Sequence, residues 1–118
     1  MILADTSVWI KHLRVGEPLL AKRLADGDIL IHPLITGELA CGNIKNRSRF
    51  LRDLRCLPSS ASATDEEALQ LVETRKLWGR GLGWIDVHLL ASAIMSNSRL
   101  WTLDIRLKET ASDLKVAF

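Results

Sequence analysis

The chain opens on three apolar residues, Ile2-Leu3-Ala4, closed by Asp5-Thr6-Ser7, after which Val8, Trp9, Ile10 and Leu13 recur at helical spacing. This predicts a buried strand, a turn, and a helix packed back on the strand. Beyond Gly16, a second helical face carries Leu19, Leu20, Leu24 and Ala25 and stops at Asp26-Gly27, and Ile29-Leu30-Ile31 then has the pattern of a second buried strand. Pro33 opens a helix carrying Leu34, Ile35, Glu38, Leu39 and Cys41, broken at Gly42-Asn43, and a basic amphipathic helix follows over about 46–55. Cys56-Leu57-Pro58 is a short candidate strand. Thr64-Asp65-Glu66-Glu67 has the chemistry of a helix start, so a long helix is expected from Asp65 to about Trp78. Gly79, Gly81 and Gly83 suggest a flexible hinge, Trp84 to Met95 is apolar nearly all round as in a buried helix, and Arg99-Leu100-Trp101-Thr102 predicts a strand. Helical spacing returns over 104–113, and Val116-Ala117-Phe118 suits a last edge strand.

Short apolar strands alternating with helices predict an α/β fold, a three-layer α/β/α sandwich on a mainly parallel sheet. No internal repeat or linker divides the chain, so 1–118 is expected to be a single domain, of a size that buries roughly two thirds of its unfolded surface. With 47% apolar and 25% charged residues the composition excludes disorder and low-complexity scaffolds. The two cysteines, Cys41 and Cys56, cannot staple a secreted fold; their apolar neighbours predict buried free thiols in a reducing cytoplasm. No apolar run is long enough to span a bilayer, and Asp5 interrupts what would otherwise resemble a signal peptide, so no membrane association is expected. Net charge is +2, from 16 Lys and Arg against 14 Asp and Glu, too small to identify a nucleic-acid binder by itself.

Four acids occupy positions that need a reason. Asp5 and Asp104 each follow an expected strand, at the carboxyl edge where open α/β sheets bind ligands. The same positions suit helix N-caps. Glu38 is expected on an apolar helix face with Leu34, Ile35, Cys41 and Gly42, and Asp86 on one with Leu89, Leu90 and Ala93, although Asp86 also lies near enough to a helix start to cap it. Four semi-buried carboxylates would repel one another unless a cation neutralised them. Oxygen-only ligands favour Mg2+ or Mn2+ over zinc, and such a site suits phosphodiester hydrolysis.

This pattern resembles the PIN domain and, within it, the VapC toxins of bacterial toxin-antitoxin pairs, small metal-dependent ribonucleases. The resemblance spans nearly the whole chain: Asp5-Thr6-Ser7 after the first strand, Glu38 in Gly37-Glu38-Leu39, Asp86 in Trp84-Ile85-Asp86-Val87-His88-Leu89-Leu90-Ala91, and Thr102-Leu103-Asp104 after a late strand. It implies that Asp5, Glu38, Asp86 and Asp104 hold one or two Mg2+ or Mn2+ ions beside the scissile phosphate of a structured RNA such as transfer or ribosomal RNA. Ser7 and Thr102 either support those ligands or serve as ordinary capping and strand-end hydroxyls. The resemblance further implies a toxin that arrests growth, a homodimer, and silencing by a cognate VapB-type antitoxin. The alternative is a non-catalytic RNA-binding or regulatory PIN-like module with a structural cation. A phosphoryl-accepting receiver domain would need an acid pair at one strand and a late lysine, which are not found.

Lys45, Arg47, Arg49, Arg52 and Arg55 fall within eleven residues with only Asp53 opposing them. Arg49, Arg52 and Arg55 face away from the stripe Phe50, Leu51, Leu54 and Leu57, as a solvated helix face or as an RNA-backbone surface. Arg80, in the glycine segment, could reach a phosphate or stand in solvent. His88 is about 200° around its helix from Asp86 and suits a structural role. Trp9, Trp78, Trp84 and Trp101 suit core or interface packing, and a groove around Trp9, Leu13 and Leu20 suits an antitoxin helix.

Overall fold

The computed structural model describes Met1–Phe118. Its elements are β1 (Ile2–Ala4), α1 (Thr6–Val15), α2 (Pro18–Ala25), β2 (Ile29–Leu30), α3 (Pro33–Ala40), α4 (Arg47–Arg55), α5 (Asp65–Arg75), α6 (Trp84–Met95), β3 (Arg99–Trp101) and α7 (Ile105–Asp113). The three strands form a parallel sheet in the order β2-β1-β3. Every residue of central β1 is buried, so both sheet faces are covered by helices and the α/β/α layering follows. One core cluster runs from Ile2, Leu3 and Ala4 through Val8, Trp9 and Leu20 to Leu89, Leu90, Leu100 and Leu107.

Two expected edge strands shrink to single bridges. Ile31 pairs with Ser59 rather than with the Cys56-Leu57-Pro58 run, because α4 continues to Arg55 and Cys56 and Leu57 complete its terminal turn. Ala117 pairs with Leu100, anchored by Leu100 N–H to Val116 and Phe118 N–H to Leu100. Helix α5 ends three residues earlier than expected, because Lys76 takes a left-handed conformation at φ 54° and stops it. Its start is the expected capping box, with Thr64 and Glu67 each accepting the other's backbone N–H.

Burial corrects two sequence expectations, for the cysteines and the groove, and divides the tryptophans between core and surface. Cys41 and Cys56 are exposed, because each ends its helix on the solvent side. Trp9 and Trp101 are core residues, but Trp78 and Trp84 are exposed, Trp84 setting its ring edge-on against buried His88. Trp9 and Leu20 lie in the core, so neither lines a groove. The open groove on this side is a 510 Å³ cleft bounded by Ile10, Leu13, Arg14, Glu38, Leu39 and Ile44.

Candidate active site

Parallel pairing sets the strand ends level. Ala4 stands opposite Trp101, so Asp5 and Thr102 emerge side by side, and the Asp5 N–H donates to the Trp101 carbonyl at 2.9 Å. Asp5 is only 6% exposed, and its carboxylate accepts three hydrogen bonds. The Ser7 hydroxyl and the Val8 N–H donate to Oδ1, and the Thr102 hydroxyl donates to Oδ2. Ser7 Oγ accepts the Leu103 N–H and Thr102 Oγ1 accepts the Asp104 N–H, both at 3.0 Å, so the two hydroxyls lock the β1–α1 turn to the β3–α7 turn. Burial pushes the Asp5 carboxyl above its ordinary pKa, although Ser7, Thr102 and Val8 draw it back.

Asp86 is half-buried in the first turn of α6, where Oδ2 accepts the Gly83 N–H at 2.9 Å. Burial raises its pKa most, the Gly83 bond opposes the rise, and the charges of Asp104 and Asp5 add to it. Asp86 therefore lies within electrostatic reach of both Asp104 and Asp5. Asp104 is exposed and caps α7 through the Leu107 N–H at 3.1 Å. Asp5, Asp86 and Asp104 therefore all meet a helix start, and capping is what aims each of them at the carboxyl edge of the sheet.

Glu38 differs from expectation. It is exposed, because Ile35 and Leu39, one turn apart, define the buried face of α3 and Glu38 lies off it. It is fixed instead by the Thr6 hydroxyl, which donates to Oε1 at 2.7 Å. Thr6 follows Asp5, so the β1–α1 turn holds two of the four acids. None of the four has a Lys, Arg or His ion-pair partner. No three His, Cys, Asp or Glu side chains converge tightly enough to enclose an ion by themselves.

Arg49, Arg52 and Arg55 are exposed on α4 above buried Leu51 and Leu54, whereas Arg47 turns back to donate twice to the Ala40 carbonyl. Arg80 does not bond to the four acids: partly exposed, it pairs with Asp113 at 2.7 Å. His88 is buried with Nε2 3.0 Å from Asp65, in keeping with a structural role. His32 was without pattern in the sequence, yet its Nδ1 accepts the Leu34 N–H at 3.0 Å and caps the helix that carries Glu38. Pro33 at the first helical position is the signal that marks the preceding residue as a cap.

His32 Nε2 is buried without a partner, and burial, with a smaller push from His88, lowers the ring's pKa below its ordinary 6.5. The unfolded chain therefore takes up a proton that the folded ring resists. His32 contributes stability that is full above about pH 6.5 and is lost as pH falls from there towards its folded pKa. The melting temperature in EDTA should drop as pH falls from about 7.5 to 5.5, and His32→Asn, a non-titrating cap, should flatten that drop. An equal drop in the variant would assign the acid sensitivity elsewhere.

A family profile described as PIN domain matches residues 2–113. Ribonuclease VapC32 of Mycobacterium tuberculosis, from strains CDC 1551 / Oshkosh and ATCC 25618 / H37Rv, is 48% identical over 118 residues, covering 99% of this chain and 95% of the relative. The crystal structure of PAE2754 from Pyrobaculum aerophilum is 19% identical with a TM-score of 0.61, over 92% of this chain and 77% of that one, a likeness of fold.

Proposed function

Because the chain belongs to the PIN-domain family and, within it, to the VapC-type ribonucleases, we propose that 1–118 acts as a single-domain toxin endoribonuclease that cuts structured RNA, such as transfer or ribosomal RNA, and is held in check by a VapB-type antitoxin. The observation that carries this is the carboxyl edge of the sheet, where the charges of Asp104 and Asp5 bear on half-buried Asp86 and none of the three has an ion-pair partner. Asp5, Glu38, Asp86 and Asp104 are the residues that would hold Mg2+ or Mn2+. The donor set is all oxygen, and acids that do not close a shell by themselves suit a cation that keeps several of its waters. Such an ion would supply an activated water and charge stabilisation at the phosphate.

The protein's own part is orientation. Ser7 and Thr102 fix the Asp5 carboxylate from both sides, and Thr6 aims exposed Glu38. Arg49, Arg52 and Arg55 offer a cationic face for the RNA backbone. The cleft beside Glu38, with Ile10, Leu13 and Leu39 on its wall, supports an antitoxin segment that covers the acids. A homodimer in the bacterial cytoplasm completes the reading; no helix is long and apolar enough to cross a membrane.

The test is incubation of antitoxin-free protein with total RNA in Mg2+, Mn2+ or EDTA, beside Asp86→Asn prepared identically. Discrete metal-dependent fragments absent from the variant are expected. RNA binding without cleavage in any metal would replace the enzyme with a binding module. Thr6→Val, which removes the hydroxyl that holds Glu38, should cost about 10-fold in kcat/KM with the melting temperature little changed, by analogy with the supporting partners of metal ligands. Unaltered kcat/KM would show that Glu38 needs no such anchor.

A further inference from the structure

The segment between α5 and α6 is fastened to α7 at two points. Arg80 pairs with Asp113 at the carboxyl end of α7. Arg106, in the first turn of α7, lies over Gly81 so closely that a Cβ there would stand 2.6 Å from Nη1 and 2.7 Å from Cδ. Gly81 also has φ of 76°, a conformation that favours glycine, and a side chain there would push the guanidinium aside. Two residues before Arg106 stands Asp104, and two residues after Gly81 stands Gly83, whose N–H holds Asp86. The guanidinium, on a helix whose N-cap is Asp104, thus packs on the segment that leads into the Asp86 turn. It is exposed, forms no ion pair and makes no side-chain hydrogen bond. Arg80 on the facing segment is spent on Asp113, whereas Arg106, on α7, keeps its charge unpaired.

We infer that Arg106 is a phosphate-binding residue that grips the backbone of the RNA strand lying across the acids, with Gly81 as its seat. The inference rests on the RNA-cleaving function proposed above. A strand brought to a patch of unneutralised carboxylates is repelled by them, and a guanidinium at their edge offsets that repulsion where the phosphate must come closest. The planar fork suits two phosphate oxygens at once, and packing over Gly81 orders the side chain before RNA arrives.

The test measures Kd for a fluorescently labelled RNA hairpin with the Asp86→Asn protein as background, in EDTA, over about 50–200 mM salt. Adding Arg106→Ala should weaken binding about 5- to 10-fold and reduce the slope of log Kd against log salt by roughly 0.7–0.9, one phosphate contact, with the melting temperature unchanged. Arg106→Lys should restore the slope but only part of the affinity, since an ammonium cannot make the paired contact. Arg75→Ala removes an equal charge beside Arg99 at the amino end of β3 and should leave both quantities unchanged. If Arg106→Ala binds as the background does, or Arg75→Ala loses as much, Arg106 is not a phosphate contact. If neither background nor wild-type protein binds RNA and the wild type cuts none, the ribonuclease function fails, and the phosphate contact with it.

Discussion

Asp86→Asn is expected to lose about 10³-fold in cleavage while melting roughly 2 °C higher than wild type in EDTA at neutral pH. The two effects share a cause. The Asp86 carboxyl is raised by burial and by the charges of Asp104 and Asp5, so its ionised form is disfavoured in the fold. A raised folded pKa contributes stability that is complete below the unfolded value of about 3.8 and is lost as pH rises through the folded value. Wild-type protein therefore carries the full penalty at neutral pH, and an uncharged isostere relieves it. The side-chain oxygen of Asn still accepts the Gly83 N–H, so the helix start is preserved. The gain is kept small because Asp86 is only half-buried and solvent screens it. It should shrink as pH falls towards the unfolded value of about 3.8, because Asp86 in the fold takes up a proton and the charge that burdens it is lost. Mn2+ should raise the wild-type melting temperature more than the variant's, since a bound cation removes the same repulsion. Retained cleavage in Asp86→Asn would remove it from the catalytic set. An equal or lower melting temperature at neutral pH would mean the acids do not burden the fold.

The parts of this fold legible in the sequence are those encoded within a few residues. Ile2-Leu3-Ala4 and Ile29-Leu30-Ile31 read as buried strands because a parallel central sheet is apolar on both faces, and Asp5 and Asp104 were found because each closes such a run. Asp86 was legible because an acid in so apolar a helix demands an explanation. The face of Glu38 was not. Helix α3 is eight residues long and apolar in most positions, so periodicity could not show that Ile35 and Leu39 face inward while Glu38 and Cys41 face out. Contacts between distant segments were equally hidden. Arg80 meets Asp113 across 33 residues, and Thr6 meets Glu38 across 32. Thr102 reaches Asp5 across 97 residues, and its strand-end position was suspected only because the parallel sheet had already been inferred.

Replacing Asp5 in two ways separates its charge from its hydrogen bonds. Asp5→Ala and Asp5→Asn should both lose about 10³-fold in cleavage, yet their stabilities should diverge. Alanine leaves the Val8 N–H uncapped and the Ser7 and Thr102 hydroxyls without their acceptor in a buried site. Losing the cap costs about 1 kcal/mol, and stranding buried donors costs a further 1–3 kcal/mol, roughly. Removing a disfavoured charge offsets part of this, so Asp5→Ala should melt roughly 5–10 °C below wild type in EDTA. Asparagine keeps Oδ1 for Val8 and Ser7, and its amide can donate to Thr102 Oγ1 where Oδ2 had accepted. It sheds the charge that burial disfavours, so Asp5→Asn should melt within a few degrees of wild type and above Asp5→Ala. Thermal melts of the three proteins in EDTA at neutral pH, beside their cleavage rates, decide it. If alanine and asparagine destabilise equally, the hydroxyl anchors from Ser7 and Thr102 contribute nothing to the fold. If asparagine alone retains cleavage, Asp5 acts through its hydrogen bonds, and the need for its negative charge at the scissile phosphate falls away.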